Sequence, residues 1–281
     1  MQHKILFILI LFCVLARCST SNDGDREKEQ VVVIETEFGD MLAVLFDKTP
    51  LHKKNFLELA RSSKYDNTIW HRVIKGFMIQ GGDIYDSGQE PEEARIPAEI
   101  QSGLYHIKGA LAAARQGDQM NPTKKSSSCQ FYIVQGQSYE MMTTDLNQLN
   151  TAFGEMVNSD PIKYQLTIEN YRNAAGSGQK AAIEYLLSIR DDIEGYAAKN
   201  FYKPLLKEAD SVYKRSGSGA DFLDGEYTVF GQVIDGIQVI DKIAAVETGS
   251  GDKPINDISM KVSVKSMGRD QIREQYGYEF P

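Results

Sequence analysis

The sequence predicts a mainly β domain, a barrel or a sandwich, carrying an α-helical insert. Short β-branched or alternating runs recur between turn residues, as at Val31 to Thr36 and Gln130 to Val134. Only two helix signals stand outside residues 138–220. Inside that segment the apolar spacing changes from the period of a strand to that of a helix.

Val31 to Thr36 is β-branched and apolar, Glu37-Phe38-Gly39-Asp40 supplies a turn, and Met41 to Phe46 follows; together they signal a hairpin. Thr49-Pro50 opens a helix that runs to about Ser62. Threonine is a good N-cap, proline suits the first turn, and Phe56, Leu57 and Ala60 give one apolar face. Short strands are expected at Thr68 to Ile74 and Phe77 to Gln80, the second ended by Gly81-Gly82-Asp83. Asp86 to Ala94 is polar, carries Gly88 and Pro91, and reads as a loop. Gly109 to Ala114 is small and apolar, and Gln130 to Val134 alternates; the polar stretch Gln116 to Ser127 between them is irregular. Tyr227 to Val233 is strand-like, Ile237 to Ala245 a plausible helix, and Ile258 to Val264 the last strand.

Within 138–220, Ile183, Leu186, Leu187, Ile193 and Ala197 recur at helical spacing, and Tyr164 to Ala175 is a second helix-like run. Pro204 is expected to kink or split the later helix. Gly176-Ser177-Gly178 and Ser216-Gly217-Ser218-Gly219 read as flexible joints. The expected division is a β-rich domain in two parts, 31–137 and 221–268, around an insert at 138–220. A polar, aromatic-flecked tail occupies 269–281.

The chain has 281 residues and a formal net charge of −8, with no basic stripe. Phosphate contacts need clustered Lys and Arg, so nucleic-acid binding is not expected, and the partner is another protein or a small molecule. Ile5 to Ala16 is an almost unbroken apolar run behind His3 and Lys4, too short to span a bilayer comfortably, and reads as a signal-peptide core within residues 1–18. Leu15-Ala16-Arg17-Cys18 resembles a bacterial lipoprotein signal, in which Cys18 becomes the lipidated first residue; Arg17 departs from the small residue usual there. A soluble secreted protein and an uncleaved anchor are the alternatives. Ser19 to Gln30 is polar and reads as a tether. The expectation is a monomer in the cell envelope, periplasmic or associated with the outer membrane. Cys13 and Cys18 lie in the leader, which leaves Cys129 without an internal disulfide partner. It reads as a small buried hydrophobe.

Trp70-His71-Arg72-Val73-Ile74-Lys75-Gly76-Phe77-Met78-Ile79-Gln80-Gly81-Gly82-Asp83 closely resembles the central motif of cyclophilins. Three further segments resemble the family in its order: Gly109 to Arg115, Ser127-Ser128-Cys129-Gln130-Phe131-Tyr132-Ile133, and Phe222 to Val233. The resemblance covers about Val31 to Gln137 and Asp221 to Met267, and implies a closed eight-stranded antiparallel β-barrel capped by two helices. It also implies a peptidyl-prolyl cis–trans isomerase acting on proline-containing polypeptide clients, with no cofactor and no metal.

Such an enzyme works against the amide resonance barrier of ~18–20 kcal/mol that makes unaided X-Pro rotation slow. A donor aimed at the prolyl nitrogen stabilises the twisted state, and an apolar slot grips the ring while the acyl side turns. Guanidinium suits the first task; aromatic and Met side chains suit the second. By resemblance, Arg72 is the donor, and Phe77, Met78 and Tyr132 line the slot with Leu223 at its edge. Gln80 orients Arg72 and contacts the peptide. Ala114, Arg115 and Gln130 hold the flanking peptide, partly through main-chain groups. Tyr227 stands where many eukaryotic members have His. Phe222 stands where many have Trp, which implies weakened binding of the family's best known macrocyclic inhibitor. Tyr132 replaces the usual Phe, so its hydroxyl needs a partner.

Other residues read more plainly. His71 adjoins Arg72 and so faces the other side of the strand, as a structural residue. His52 and His106 are isolated, and no metal-ligand spacing is present. Ser126-Ser127-Ser128 lacks a nucleophile elbow, Gly81-Gly82 reads as a tight turn, and Lys124-Lys125 as a solvated loop. The insert enters between two segments that flank the groove in the family, so it is expected beside the site, as a client-binding clamp or as a hairpin packed on itself. The leading function is an isomerase assisting the folding of exported proteins. An envelope chaperone or binding module with little catalysis, and a structural envelope protein, are the other readings.

Overall fold

A computed structural model describes residues 28–85, 89–203, 205 and 207–280. The segment expected as a leader, with Cys18, most of the segment expected as a tether, and Pro204 lie outside the described residues.

Strands β1 (Lys28–Thr36) and β2 (Gly39–Leu45) form the expected hairpin, with Ile34 opposite Met41. β1 starts earlier than expected, because Lys28 to Gln30 of the presumed tether pair with the far end of the chain. Glu29 is buried there, held by Lys53 and Arg269. Helix α1 (Pro50–Arg61) follows, with Phe56, Leu57 and Ala60 buried. Thr49 does not cap it through its side chain. Instead Glu99, from a distant loop, accepts from Leu51 N at 3.1 Å and His52 N at 3.0 Å. A carboxylate in that place satisfies two orphan donors and meets the positive end of the helix.

The chain continues through β3 (Trp70–Ile74), β4 (Met78–Gly81), β5 (Ala110–Ala113), β6 (Phe131–Val134) and the two-residue β7 (Gln137–Ser138). Six helices come next: α2 (Tyr139–Thr143), α3 (Leu146–Ser159), α4 (Gln165–Gly176), α5 (Gln179–Ser188), α6 (Arg190–Ala197) and α7 (Lys207–Ser216). β8 (Ser218–Gly219), β9 (Val229–Asp235), α8 (Ile237–Ala244), β10 (Lys261–Gly268) and α9 (Arg269–Tyr276) complete the order.

Eight strands make one antiparallel sheet in the order β10-β1-β2-β9-β5-β6-β4-β3. The closed barrel expected from the resemblance is therefore an open, curled sheet. Its edge strands β3 and β10 share no ladder and approach through a single bridge, Ile69 to Ser259. Backbone bonds there span only Asn67 to Trp70 against Ile258 to Met260. Asn67, at a φ of 66°, turns the chain out of strand geometry and stops the pairing from extending.

The two faces of the sheet are covered differently. Val32, Ile34, Ala43, Trp70, Ile79, Leu111, Phe131 and Ile133 point to one face and pack against α1 and α8. The alternate residues Val31, Val44, Met78, Ala112, Tyr132 and Val134 point to the other. Strand periodicity produces this separation. Ile272 of α9, fully buried, and Tyr276, Tyr278 and Phe280 pack on the second face. The C-terminal tail is thus part of the fold, with Ile272 and Tyr276, one turn apart on α9, facing the sheet.

Helices α3 to α6 bury their own cluster around Leu149, Phe153, Met156, Leu186, Ile193 and Phe201. A smaller cluster, Met142, Ala209 and Tyr213, meets Tyr105 and Ile107 from the β-rich part. Ser216 to Gly219 is not a loose joint. Ser218 and Gly219 pair with Ser138 and Gln137, and Gly219 is buried with the Tyr213 ring against it, leaving no room for a Cβ.

Candidate active site

Strand register brings the motif residues together. Arg72 lies opposite Gln80, Gln80 opposite Tyr132, and Tyr132 opposite Ala112. Residues paired across a sheet share a face, so these side chains form one row, with Met78 two positions along from Gln80. The neighbour Phe131 points the other way, into the α1 side of the sheet.

This face holds a hollow of about 200 Å³. Met78, Ala114, Tyr132 and Leu223 are its most buried lining residues, with Phe77 beside them. Arg72, Gln80, Arg115 and Tyr227 complete the lining. Of the residues expected at the site, Phe222 and Gln130 lie outside the hollow. Phe222 is 58% exposed and its ring centroid stands 5.3 Å from that of Phe77. Gln130 accepts from Gln80 Nε2 at 3.2 Å and donates to Asp83 at 2.9 Å.

Two of the polar side chains are held differently from expectation. Arg72 Nε donates to Asp252 Oδ2 at 3.4 Å, and among the described residues no side-chain bond joins Arg72 to Gln80. Asp252 precedes β10, far from Arg72 in sequence, and no motif pointed to it. The Arg115 guanidinium is already occupied, donating to Glu226 O at 2.9 Å and Asp118 Oδ1 at 2.6 Å. It lies 4.4 Å above the Tyr227 ring, a cation–π contact that stiffens this wall. The Arg115 side chain is therefore committed within the fold, and its main chain is left at the hollow's edge.

The Tyr132 hydroxyl has its partner: His106 Nε2, at 3.0 Å. His106 is fully buried, and its Nδ1 lies 2.8 Å from Asp224 Oδ1. Sequence separation hid this set, since His106 and Tyr132 meet only through the β5–β6 pairing. Burial, reinforced by Tyr227, pushes the Tyr132 hydroxyl well above the usual tyrosine range, so it stays protonated at neutral pH.

His71 is half-buried with Nδ1 unbonded, and burial pushes its pKa down. Cys129 is buried, which raises its thiol pKa. Among the described residues no cluster of His, Cys, Asp and Glu could hold a metal ion, and no helix is long and apolar enough to cross a membrane. The hollow thus offers a guanidinium beside an apolar slot, a pairing suited to gripping a small ring and donating to an atom at its edge.

Comparisons with known proteins agree with this geometry. The family model "Cyclophilin type peptidyl-prolyl cis-trans isomerase/CLD" matches residues 31–183 and 197–264. A Streptococcus pyogenes serotype M6 relative, named as a bifunctional phosphatase/peptidyl-prolyl cis-trans isomerase, is 30% identical over 233 residues. That is 81% of this chain but 37% of the relative, so the chain spans little more than a third of that protein. A Staphylococcus aureus relative, named as a peptidyl-prolyl cis-trans isomerase, is 28% identical over 241 residues, 84% of this chain and 92% of its own length. The crystal structure of a cyclophilin type peptidyl-prolyl cis-trans isomerase from Cryptosporidium parvum covers 84% of this chain and 98% of its own. Its TM-score is 0.50 at 24% identity, a likeness of fold.

Proposed function

The chain belongs to the cyclophilin-type peptidyl-prolyl cis–trans isomerases, and from that membership we propose that it rotates X-Pro bonds in polypeptide clients, with Arg72 as the donor to the prolyl nitrogen. The observation that carries the assignment is the shared hollow, in which Arg72 stands with Phe77, Met78, Tyr132 and Leu223. The apolar side chains hold the pyrrolidine ring. Arg72 donates to the nitrogen as conjugation is lost and its lone pair becomes available, an interaction far weaker in the planar ground state. Such differential binding lowers the barrier without any covalent step. Gln80 and Gln130, bonded to one another, stand ready for the peptide backbone.

Turnover of a proline-containing tetrapeptide by the intact chain and by Arg72→Ala tests this. The side chain is 43% exposed, so its removal leaves the fold in place. Loss of one preorganised donor lowers kcat/KM by about 10²-fold. Activity surviving the substitution would remove Arg72 from the chemistry.

The setting is proposed on the sequence: a monomer exported to the cell envelope, anchored through Cys18, assisting the folding of exported proteins. Mass spectrometry of the mature N-terminus decides the anchor. The helical segment is proposed as a client clamp. In support, a hollow of about 560 Å³ lies between Lys75 and Gly76, just ahead of Phe77, and Met141, Ile183 and Leu187 of the helices. Replacing 145–201, between the bridged Thr144 and Tyr202, by a short linker that keeps α7 leaves tetrapeptide turnover intact on this reading but slows refolding of a protein client. Unchanged client refolding leaves the segment as packing alone, and a chain that binds clients yet fails to turn over the tetrapeptide favours the binding module.

A further inference from the structure

Tyr213 of α7 donates to Asp224 Oδ2 at 2.7 Å. Asp224 Oδ1 accepts from both His106 N at 2.9 Å and His106 Nδ1 at 2.8 Å. His106 Nε2 meets the Tyr132 hydroxyl at 3.0 Å. Four side chains from four places in the chain thus make one unbroken line from the helical segment to the floor of the slot. We propose that Asp224, His106 and Tyr213 are positioning residues for Tyr132, and that through them the helical segment sets the shape of the prolyl slot. The proposal rests on the assignment of Tyr132 to that slot.

The Asp224 carboxylate sets the direction of the bonds it receives, and a neutral His106 ring sets the next. An ionised carboxylate only accepts, so His106 Nδ1 carries a proton. In the neutral ring Nε2 is then the acceptor and the Tyr132 hydroxyl the donor. That orientation turns the hydroxyl hydrogen away from the slot and holds the ring edge-on to Tyr227, at 83° and 5.9 Å between centroids. His106 and Tyr132 are also stacked, 11° apart in plane. Tyr213 and His106 are fully buried and Tyr132 nearly so, so a lost member leaves a polar group stranded out of water.

The far end of the line is fixed as firmly. Tyr213 packs against Gly219, which returns the chain to the β-rich part beside β7. Burial first, and then the bond to Asp224, push the Tyr213 hydroxyl pKa up, so it remains a donor across the neutral range. A Phe in place of Tyr132, the usual residue at this position by resemblance, would leave buried His106 Nε2 without its hydroxyl partner.

The test is a double-mutant cycle between Tyr213→Phe and Tyr132→Phe, read by kcat/KM on a proline-containing tetrapeptide and by 13C spectra of ring-labelled tyrosine. The Tyr132 signal is assigned by its loss in Tyr132→Phe. In the native background Tyr213→Phe lowers kcat/KM about threefold to tenfold and moves the Tyr132 ring signal; in the Tyr132→Phe background the same change costs less than about twofold. Equal losses in both backgrounds, or a Tyr132 signal that does not move, overturn the proposal. If Tyr213→Phe does not fold, His106→Phe breaks the line at its near end and is read in the same two ways. The spectral reading needs no turnover, so it stands apart from the Arg72→Ala result, which bears on the catalytic assignment alone.

Discussion

Arg72 Nε and Asp252 Oδ2 meet at 3.4 Å, tying the motif strand β3 to the turn before β10. Gly251 and Asp252 both have positive φ, 70° and 60°, so a left-handed turn presents the carboxylate. Asn tolerates that backbone as Asp does, which makes Asp252→Asn a clean probe. Both side chains are nearly half exposed, and a pair of that kind is worth less than about 1 kcal/mol. Asp252→Asn is therefore expected to lower kcat/KM about twofold to fivefold through looser aim of the guanidinium, with the melting temperature little changed. An unchanged or higher rate means that β3 alone orients Arg72.

Glu99 closes the open end of α1 and also bonds His52 Nδ1 at 2.7 Å. Removing a helix cap costs about 1–2 kcal/mol. For Glu99→Ala the melting temperature is expected to fall roughly 2–8 °C, at ~2–4 °C per kcal/mol for a chain of this size. Calorimetry checks this, and a fall below the lower figure assigns the capping to solvent instead.

Two histidines make stability depend on pH. Burial pushes the pKa of His52 down against the opposing pull of Glu99. Burial does the same for His71, with Asp83 opposing and Arg72 assisting. The unfolded chain takes up these protons near pH ~6.5 and the folded chain only below that. Their contribution is complete above about pH 6.5 and is lost as pH falls. The urea midpoint is expected to drop between about pH 7.5 and 5.5, where carboxylates are still ionised, and His71→Gln is expected to flatten part of the slope. A flat profile in the wild-type chain rules the effect out.

Phe222 stands 58% exposed beside Phe77, where a larger indole would extend the apolar rim. Phe222→Trp is expected to tighten the family's macrocyclic inhibitor by about fivefold or more, from added buried apolar area. Titration calorimetry reads it. Equal affinity for both forms places the inhibitor's contacts elsewhere.

The legible parts of the molecule are those whose signal is contiguous. The run from Trp70 to Asp83 holds two paired strands and the slot residues together, so pattern and geometry coincide. β10 was harder, because Ile258 and Met260 alternate like a strand yet serve as buried plugs before the ladder begins at Lys261. α2 is too short to carry a repeat, whereas Leu149, Ala152, Phe153, Met156 and Val157 of α3 do recur at helical spacing, and α9 shows only Ile272 and Tyr276, one turn apart among polar neighbours. Asp252, His106 and Asp224 were invisible as site residues, since each reaches the hollow's side chains only after distant strands and turns are brought together. The closed barrel came from likeness to relatives, whereas local backbone geometry at Asn67 decides where pairing stops.

Residues 139–216 leave through Ser138 and come back through Ser218, two positions that face one another across a two-rung ladder. Both ends of that excursion are pinned at a single doorway, and its interior has a nucleus of its own. Additions or losses among those helices can be absorbed without tugging on the neighbouring strands. Changes near the threshold, at Gly136, Gly219 or Tyr213, have no such freedom. Sequence change can thus accumulate in α3 to α6 while the hollow that holds Arg72 and Tyr132 keeps its shape.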